Sequence, residues 1–162
     1  MRSRTRAVGE PAIDSSDGGD ARSLSVTPFH WPVRVYYEDT DTAGVVYYAN
    51  YLKFMERART EYLRSFGFEQ DELARSEGVL FAVRSANVEF LEPARFNDSL
   101  IVTARVAERR RVSLSFEQLV YRADTPERPL CTGTVRIVCL DSGALRPRPI
   151  PERILKEIPD VG

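Results

Sequence analysis

Three acidic residues stand close together in the chain, at Glu38, Asp39 and Asp41, immediately before a stretch with the apolar spacing of a helix. The start of a helix offers backbone N–H groups without intrahelical acceptors and the positive end of the helix dipole. Such groups can stabilise the negative charge that develops on a carbonyl oxygen during acyl transfer. A carboxylate beside them can attack the carbonyl carbon or activate a water molecule. From the residues alone a second interpretation stays open, in which these acids only cap the helix.

The histidine and cysteine content excludes several other kinds of catalytic site. The chain holds one histidine, His30, and two cysteines, Cys131 and Cys139, whereas a zinc site built from Cys and His takes about four such ligands. A serine or cysteine nucleophile could pair only with His30, and the motif G-x-S-x-G does not occur in the sequence. We therefore expect catalysis by carboxylates, hydroxyls or backbone amides, with no metal or redox cofactor.

Length and charge indicate one soluble domain with a tail. The 162 residues include 23 Lys and Arg against 24 Asp and Glu, a balance that does not favour nucleic-acid binding. The sequence has neither a run of about 18 apolar residues, which would predict a membrane span, nor the apolar core of a secretory signal, so the predicted location is cytoplasmic. Residues 1–27 are predicted to be a flexible N-terminal tail, because they lack aromatic side chains and contain a Ser, Asp and Gly cluster. Residues 28–158 are the predicted folded domain.

One long amphipathic helix is predicted after the acidic loop. Its apolar stripe ends just before Gly67, a residue type that favours helix termination. Further apolar side chains at Leu52, Phe54 and Leu63 widen the apolar face, so we expect the helix to be covered on more than one side. The stripe, with spacings of three or four residues, comprises Tyr51, Met55, Ala58, Tyr62 and Phe66.

The rest of the domain has the two-residue alternation of β-strands. Strands are predicted over 33–38, 79–91, 100–106, 112–120 and 130–140, and a short helix over 152–157. Short turns between consecutive strands indicate an antiparallel sheet. Because the sheet is the only element large enough to cover the long helix, the pattern predicts an α+β hotdog fold, an antiparallel sheet wrapped around one long central helix. On the 79–91 strand, the side chains expected on one face are Leu80, Ala82, Ala86, Val88 and Phe90.

The loop and the start of the helix carry a motif of fixed spacing. Its parts are Arg34-Val35, Thr40-Asp41, Gly44-Val45-Val46 and Tyr51. Residues 31–68 resemble the acyl-CoA thioesterases encoded with the bacterial Tol–Pal envelope system, the YbgC group, in the 4-hydroxybenzoyl-CoA thioesterase branch of the hotdog superfamily. The resemblance continues through residues 88–98 and the Pro-Arg-Pro stretch at 147–149, and it covers about residues 30–157, which leaves the tail outside it.

The resemblance implies roles for several residues around the loop. The catalytic aspartate of the family falls on Asp41, and the backbone amide that polarises the thioester carbonyl falls on Tyr48. Gly44 lets the backbone turn closely into the helix. Tyr47 and Asn50 flank the site, and Asn50 either caps the helix or lines the acyl pocket.

Recognition of the substrate is expected to involve further residues. Tyr48 stands where many members of the family carry His or Phe, which leaves the acyl preference open. Tyr51 belongs to the apolar stripe, which favours core packing, and it is also a candidate for the substrate pocket. CoA carries phosphates that guanidinium groups bind well. The resemblance implies that the phosphate contacts come from the stretches that hold Arg110, Arg111, Arg146 and Arg148.

The function that the resemblance implies is that of an acyl-CoA thioesterase, which hydrolyses the thioester to a free carboxylic acid and CoA, in a homodimer or homotetramer. Acyl carrier protein is the alternative carrier of the acyl group. A second candidate function is a non-catalytic or weakly catalytic hotdog module that binds acyl-CoA or acyl carrier protein. A hotdog dehydratase is disfavoured, because those enzymes resemble one another in using a histidine as acid and base, and this chain has none beyond His30.

Overall fold

The computed structural model describes residues 27–159. Apart from Thr27, the predicted tail therefore lies outside the described residues. A 3-10 turn at Tyr37–Asp39 separates the first strand from the first helix. In chain order the elements are β1 (Phe29–Arg34), α1 (Tyr48–Ser65), α2 (Gln70–Ser76), β2 (Val79–Phe90), β3 (Ser99–Arg109), β4 (Ser113–Arg122), β5 (Pro129–Asp141) and α3 (Glu152–Glu157).

Within residues 27–159, the strands form one antiparallel sheet in the order β1-β3-β4-β5-β2. The long helix α1 packs on one face of it. Met55 lies against Gly133 of β5, where a Cβ atom would meet the Met55 sulfur at 3.0 Å. The Tyr62 ring contacts Phe116 of β4 and Phe29 of β1, at 5.5 and 6.0 Å between ring centroids. The sheet thus covers α1 from β1 across to β5, which confirms the predicted α+β hotdog fold.

The apolar stripe of α1 is buried as its spacing predicts. Tyr51, Met55 and Ala58 are at most 3% exposed, and Phe54 is fully buried beside them. Leu52 departs from the prediction, because 41% of it is exposed. It follows Tyr51 by one residue and is therefore rotated about 100° around the helix, away from the sheet.

A charged side chain is buried between α1 and the sheet. Arg59 is 6% exposed, and its guanidinium donates to Oε1 of Gln118 at 2.8 Å. The Gln118 amide donates in turn to the carbonyl oxygens of Met55 on α1 and Thr103 on β3, both at 3.0 Å. Burial lowers the pKa of Arg59. Arginine is almost never fully buried unless it is paired. The sequence pattern does not reveal this network, because it does not show that the distant Gln118 is the partner of Arg59.

The strand β2 contains a β-bulge, and before this bulge the residues on the core side differ from the prediction. Its pairing register with β5 shifts between Val83 and Ser85. Before the bulge, Phe81 lies opposite the buried Cys139; after it, Ala86 lies opposite the buried Val135. The extra residue reverses the alternation. The prediction is therefore wrong for Leu80 and Ala82. Before the bulge, Phe81 and Val83 lie on the same side of the sheet as the buried Cys139 and Ile137, and Val83 at the sheet edge stays 54% exposed.

Two further features differ from the sequence pattern. The first strand ends at Arg34 and not at residue 38, because the chain turns at Tyr37–Asp39. The helix α2 has no signal in the sequence, because Leu73 is its only buried residue and no apolar recurrence can be detected. In the described part of the chain, no helix is long and apolar enough to cross a membrane.

The C-terminal helix α3 lies where a short terminal helix is predicted. The Arg109 guanidinium donates to the carbonyl oxygens of Leu155 and Ile158 at the end of this helix. Basic side chains satisfy free carbonyl groups at helix C-termini in this way. These hydrogen bonds from Arg109 hold α3 against the end of β3.

Candidate active site

The loop between β1 and α1 closes on itself in a tight turn. The Asp41 N–H donates to the Val45 carbonyl oxygen at 2.9 Å, and the Gly44 N–H donates to the Asp41 carbonyl oxygen at 3.0 Å. Gly44 has a φ of +75°, a left-handed conformation that glycine adopts without steric cost. A β-bridge between Thr40 and Val46 closes the base of the turn. The turn holds Asp41 at a defined position just ahead of α1.

The carboxylate of Asp41 is exposed and oriented by its own turn. Its Oδ1 accepts a hydrogen bond from the Ala43 N–H at 2.8 Å, a local contact that aspartate often makes in turns. Because the side chain is exposed in the single chain, a substrate or a second chain can approach it. Among the described residues, no group of three or more His, Cys, Asp or Glu side chains could hold a metal ion.

The other aspartate of the loop, Asp39, has a structural role. Asp39 is 7% exposed, and its carboxylate accepts the Tyr36 N–H at 2.8 Å. Its carbonyl oxygen accepts the Tyr47 N–H at 2.8 Å and the Nδ2 group of Asn50 at 2.9 Å. These bonds join the loop to the first turn of α1. The side-chain amide of Asn50 is thus engaged with the loop backbone, and Asp41 is the better placed of the two aspartates to meet a substrate.

Backbone N–H groups are available where α1 begins. Tyr47 is the N-cap residue and its N–H is taken by Asp39, while the Asn50 N–H turns back to the Tyr47 carbonyl oxygen at 2.9 Å. The N–H groups of Tyr48 and Ala49 have no intrahelical acceptor by position, and neither donates to another backbone group within residues 27–159. These two amides lie at the positive end of the helix dipole. The structure thus brings Asp41 and the predicted Tyr48 amide to the same junction of loop and helix.

Tyr51 links α1 to the segment that follows β2. Its hydroxyl oxygen accepts the Ala94 N–H at 3.0 Å, and the Ala94 carbonyl oxygen accepts the Val46 N–H at 2.8 Å. Tyr51 is 3% exposed, and burial raises its pKa. The residue both packs in the core and lines the cavity described next.

An apolar cavity of about 240 Å³ opens beside the first turn of α1. The centroid of the Phe90 ring lies 5.9 Å from that of Tyr48 and 5.6 Å from that of Tyr51. Sequence reasoning missed Phe90 as a site residue, because the alternation on β2 marks it only as a strand position. The lining residues are Val46, Tyr48, Tyr51, Phe90, Leu91, Glu92 and Pro93.

A larger hollow of about 390 Å³ lies on the outer face of the sheet. Its wall includes Glu117 and Thr132, which neighbour the core residues Phe116 and Cys131 along their strands. Because successive side chains of a strand point to opposite faces, Glu117 and Thr132 point away from α1. This hollow is therefore on the wrong side of the sheet to serve Asp41.

The four arginines predicted to bind phosphate lie at the other end of the sheet from Asp41. The loop end of the sheet is marked by the pairing of Arg34 with Ser99, and the opposite end by the pairing of Arg109 with Leu114. A single chain therefore does not bring together Asp41 and the set Arg110, Arg111, Arg146 and Arg148.

These arginines nevertheless lie near one another. The segment 146–150 forms backbone hydrogen bonds with β5 and with the turn between β3 and β4. Arg110 pairs with Glu108 at 2.7 Å, and Arg148 pairs with Asp141 at 3.3 Å. All four side chains belong to exposed residues, so they form one basic region at the end of the sheet where β2 begins.

Comparison with known proteins establishes the family. The model of the thioesterase-like superfamily matches residues 35–158. The chain belongs to this superfamily. This thioesterase is 44% identical over 134 residues to the acyl-CoA thioester hydrolase YbgC of Escherichia coli, an alignment that covers 83% of this chain and 98% of that protein. The resemblance predicted from the loop motif is confirmed, and the enzyme class, a thioester hydrolase, follows from it.

Solved structures share the fold of this thioesterase. A probable thioesterase from Bartonella henselae has a TM-score of 0.72 and 34% identity, over 77% of this chain and all of that one. A variant of 4-hydroxybenzoyl-CoA thioesterase, complexed with 4-hydroxybenzoyl-CoA, has a TM-score of 0.72 and 23% identity, over 80% of this chain and 96% of that one. The second likeness supports the hotdog fold alone.

Proposed function

We propose that this thioesterase hydrolyses acyl-CoA to a free carboxylic acid and CoA, with Asp41 and the first amides of α1 as its catalytic groups. The observation that carries the proposal is the junction at which a tight turn presents an exposed carboxylate directly ahead of a helix with free N–H groups. The activity in the name of the Escherichia coli relative supports the same substrate class.

The reaction needs a group that attacks the thioester carbonyl carbon and a group that stabilises the oxyanion. As the new C–O bond forms, the carbonyl oxygen becomes negative, and the Tyr48 N–H at the positive end of α1 can donate to it. Asp41 either attacks the carbon itself, giving a mixed anhydride that water then hydrolyses, or takes a proton from an attacking water. In both routes the C–S bond breaks and the thiolate of CoA leaves. The water that is consumed supplies the new oxygen of the carboxylic acid and the proton that neutralises the thiolate.

The proposed working site lies between two chains. At one edge of the sheet, β1 has six residues and contains Pro32; at the other, β2 has twelve residues and no proline. Val83 and Phe90 on β2 are 54% and 49% exposed. A long unprotected edge strand is a template for pairing, and a two-fold axis makes the two copies of β2 antiparallel. These features support a homodimer, and a homotetramer stays a prediction.

Pairing through β2 would bring the phosphate-binding arginines of one chain close to Asp41 of the other chain. Since Leu80 pairs with Leu140, β2 begins at the basic end of the sheet, and it ends at Phe90 beside the start of α1. In an antiparallel pair, the beginning of one strand lies next to the end of the other. We therefore propose that the CoA phosphates of a substrate at Asp41 are bound by Arg110, Arg111, Arg146 and Arg148 of the partner subunit.

The carrier and compartment belong to the same proposal. CoA is the proposed carrier, and acyl carrier protein is the alternative, because either one presents the acyl group as a thioester. The proposed compartment is the cytoplasm.

The substitution Asp41→Asn tests the proposed mechanism. The amide oxygen of Asn can still accept the Ala43 N–H, so the turn stays closed while the carboxylate is lost. We expect kcat/KM for acyl-CoA esters to fall by about 10²–10⁴-fold. Glu38→Gln is the matched control, since it removes an exposed carboxylate from the same loop, and we expect it to leave kcat/KM within about twofold of the unsubstituted enzyme.

Two results would speak against the proposal in different ways. Near-full turnover by Asp41→Asn on every ester would contradict the role of the carboxylate. If the unsubstituted protein binds esters of CoA and acyl carrier protein without hydrolysing them, the second candidate function is supported, namely a non-catalytic or weakly catalytic binding module.

A further inference from the structure

The connection between β2 and β3, residues 91–98, lies against the turn that carries Asp41. Val45, at the end of that turn, forms a β-bridge with Arg95 of the connection. The carbonyl oxygen of the same Val45 accepts the Asp41 N–H at 2.9 Å. A displacement of the β2–β3 connection would therefore move Val45 and, through its hydrogen bond, the backbone of Asp41.

The β2–β3 connection contains a tight turn of its own that depends on Asp98. The Asp98 carboxylate accepts the Arg95 N–H at 2.9 Å, and the Asp98 N–H donates to the Arg95 carbonyl oxygen at 3.1 Å. Within this turn Asn97 has a φ of +69°, a left-handed conformation in which asparagine is found more often than most residues that carry a side chain. The two hydrogen bonds fix the position of Arg95 relative to Asp98.

Arg122, the last residue of β4, holds the β2–β3 connection at two points. Its Nε–H donates to Oδ2 of Asp98 at 3.0 Å, and its Nη2 group donates to the Pro93 carbonyl oxygen at 2.7 Å. These acceptors precede and follow Arg95 in the sequence. A guanidinium binds two acceptors in a fixed planar geometry, which the ammonium of lysine cannot reproduce. Only 27% of the Arg122 side chain and 24% of the Asp98 side chain are exposed, so solvent screens this pair less than a surface pair.

The contacts of Arg122 thus lead, through the β2–β3 connection, to the proposed catalytic carboxylate. We infer that Arg122 is a positioning residue, whose hold on Pro93 and Asp98 fixes the turn that presents Asp41. The inference rests on the proposed function and adds to it a residue that acts through the backbone of Val45. Contacts behind the turn can affect the rate, because a misplacement of about 1 Å at a reacting group can lower it by about 10²-fold.

Replacement of Arg122 by glutamine and by lysine tests the inference. In Arg122→Gln, which removes the guanidinium, we expect kcat for acyl-CoA esters to fall by about 10–10²-fold. KM should change by less than about threefold, because the proposed phosphate contacts lie at the other end of the sheet. Arg122→Lys keeps the charge but can reach only one of the two acceptors, so its kcat should lie between those of Arg122→Gln and the unsubstituted enzyme. It also serves as the folded variant if Arg122→Gln is unstable.

Arg128→Gln is the matched control. Arg128 also pairs with the β2–β3 connection, at 2.7 Å from the Glu92 carboxylate, but it binds a side chain rather than a backbone carbonyl, and 63% of its own side chain is exposed. Exposed pairs of this kind contribute little, so kcat should stay within about twofold of the unsubstituted enzyme. Equal kcat values in the two glutamine variants would overturn the inference, as would full turnover by Arg122→Gln.

Hydrogen exchange separates this inference from the proposed function. Mass spectrometry of peptides that cover residues 40–47 reports on the backbone of the Asp41 turn whether or not the protein hydrolyses any ester. Exchange there that is about tenfold faster or more in Arg122→Gln, with unchanged exchange over residues 134–141 of β5, supports the inference even if every ester resists hydrolysis. Unchanged exchange over residues 40–47, or an equal acceleration in both sets of peptides, contradicts it even if hydrolysis is observed.

Discussion

Two aspartates of the same loop have opposite surroundings. Asp39 is buried, and both its carboxylate and its carbonyl oxygen hold backbone or amide N–H groups. Asp41 is exposed, and the hydrogen bond that it accepts from the Ala43 N–H orients the carboxylate without covering it. Their chemical type is the same, so the difference comes from the direction in which the turn points each side chain. A reactive carboxylate needs access to substrate, and of these two aspartates Asp41 is the exposed one.

The two buried cysteines predict a pH dependence of stability. Burial raises the pKa of the Cys131 thiol to about 12 and that of Cys139 to about 11, from an ordinary value of 9.0. As the pH rises above about 9, the unfolded chain releases these protons while the folded chain keeps them. The free energy of unfolding should therefore be unaffected by the thiols below about pH 9 and fall as the pH rises toward 12.

Urea unfolding at about pH 7.5, 9 and 10.5 measures this slope. The double variant Cys131→Ala and Cys139→Ala should have a shallower fall. A part of the slope should remain, because burial also raises the pKa of Tyr62 to about 12. If the double variant loses stability with pH as steeply as the unsubstituted protein, the thiols do not contribute.

At the scale of elements, α1 positions the site through contacts along its whole length. Its first turn presents the Tyr48 amide, and Met55 packs on Gly133 in its middle. The bond from Arg59 to Gln118 sets how the helix is rotated on the sheet. A buried guanidinium without a partner is costly, so rotations that break this bond are disfavoured. The core packing of α1 thereby determines where its first amides point.

The turn before α1 gives a prediction that separates stability from catalysis. Gly44 and Gly67 have φ values of +75° and +86°, and a Cβ atom at either position would meet nothing within 4 Å. Alanine at either site should lower the free energy of unfolding by about 1–2 kcal/mol, the cost of a left-handed conformation. Only Gly44→Ala also displaces the Asp41 turn, so we expect its kcat/KM to fall by about 10²-fold.

Gly67→Ala is the control for this prediction, because Gly67 lies beyond the far end of α1. Urea unfolding and steady-state kinetics on both variants provide the measurement. Equal kcat/KM values for the two variants would mean that the geometry of the turn does not affect the reaction.

At the scale of the whole molecule, one chain brings together only part of the proposed site. The carboxylate of Asp41, the amides of α1 and the apolar cavity lie at one end of the sheet, and the basic region lies at the other. The strand β2 is about 36 Å long at the usual rise per residue, and it connects the two ends. An antiparallel copy of β2 would place opposite ends side by side, so the proposed dimer explains why two halves of a site are separated within one chain.

The edge strand β2 carries the prediction for assembly. Ala86 is an exposed residue near the middle of β2, where a two-fold axis would bring both copies close together. Ala86→Lys should convert the assembly to monomers, because two like charges and two lysine chains would meet there. We expect turnover to fall with the loss of assembly, by about tenfold or more, since the arginines of the partner subunit are lost.

Light scattering coupled to size-exclusion chromatography measures the mass of the assembly. Ala123→Lys is the control, because it adds the same charge at an exposed turn away from β2. The control should keep both the mass and the activity of the unsubstituted protein. A monomeric Ala86→Lys variant with full activity would contradict the shared site.

Features that depend on neighbours along the chain can be predicted from the sequence. The recurrence of Tyr51, Met55 and Ala58 predicts α1, because a helix repeats every 3.6 residues. The alternation in the later segments predicts the strands. The spacing from Asp41 through Gly44 to Tyr51 predicts the turn and the family, because this motif is local.

Features that join distant segments of the chain become visible in the folded structure alone. The bulge at Val83 reverses one end of β2, and the bond from Arg59 to Gln118 crosses from helix to sheet. Phe90 joins Tyr48 in the cavity wall only because β2 ends where α1 begins. Such contacts depend on strand register and packing between residues far apart in sequence, for which local periodicity carries no signal.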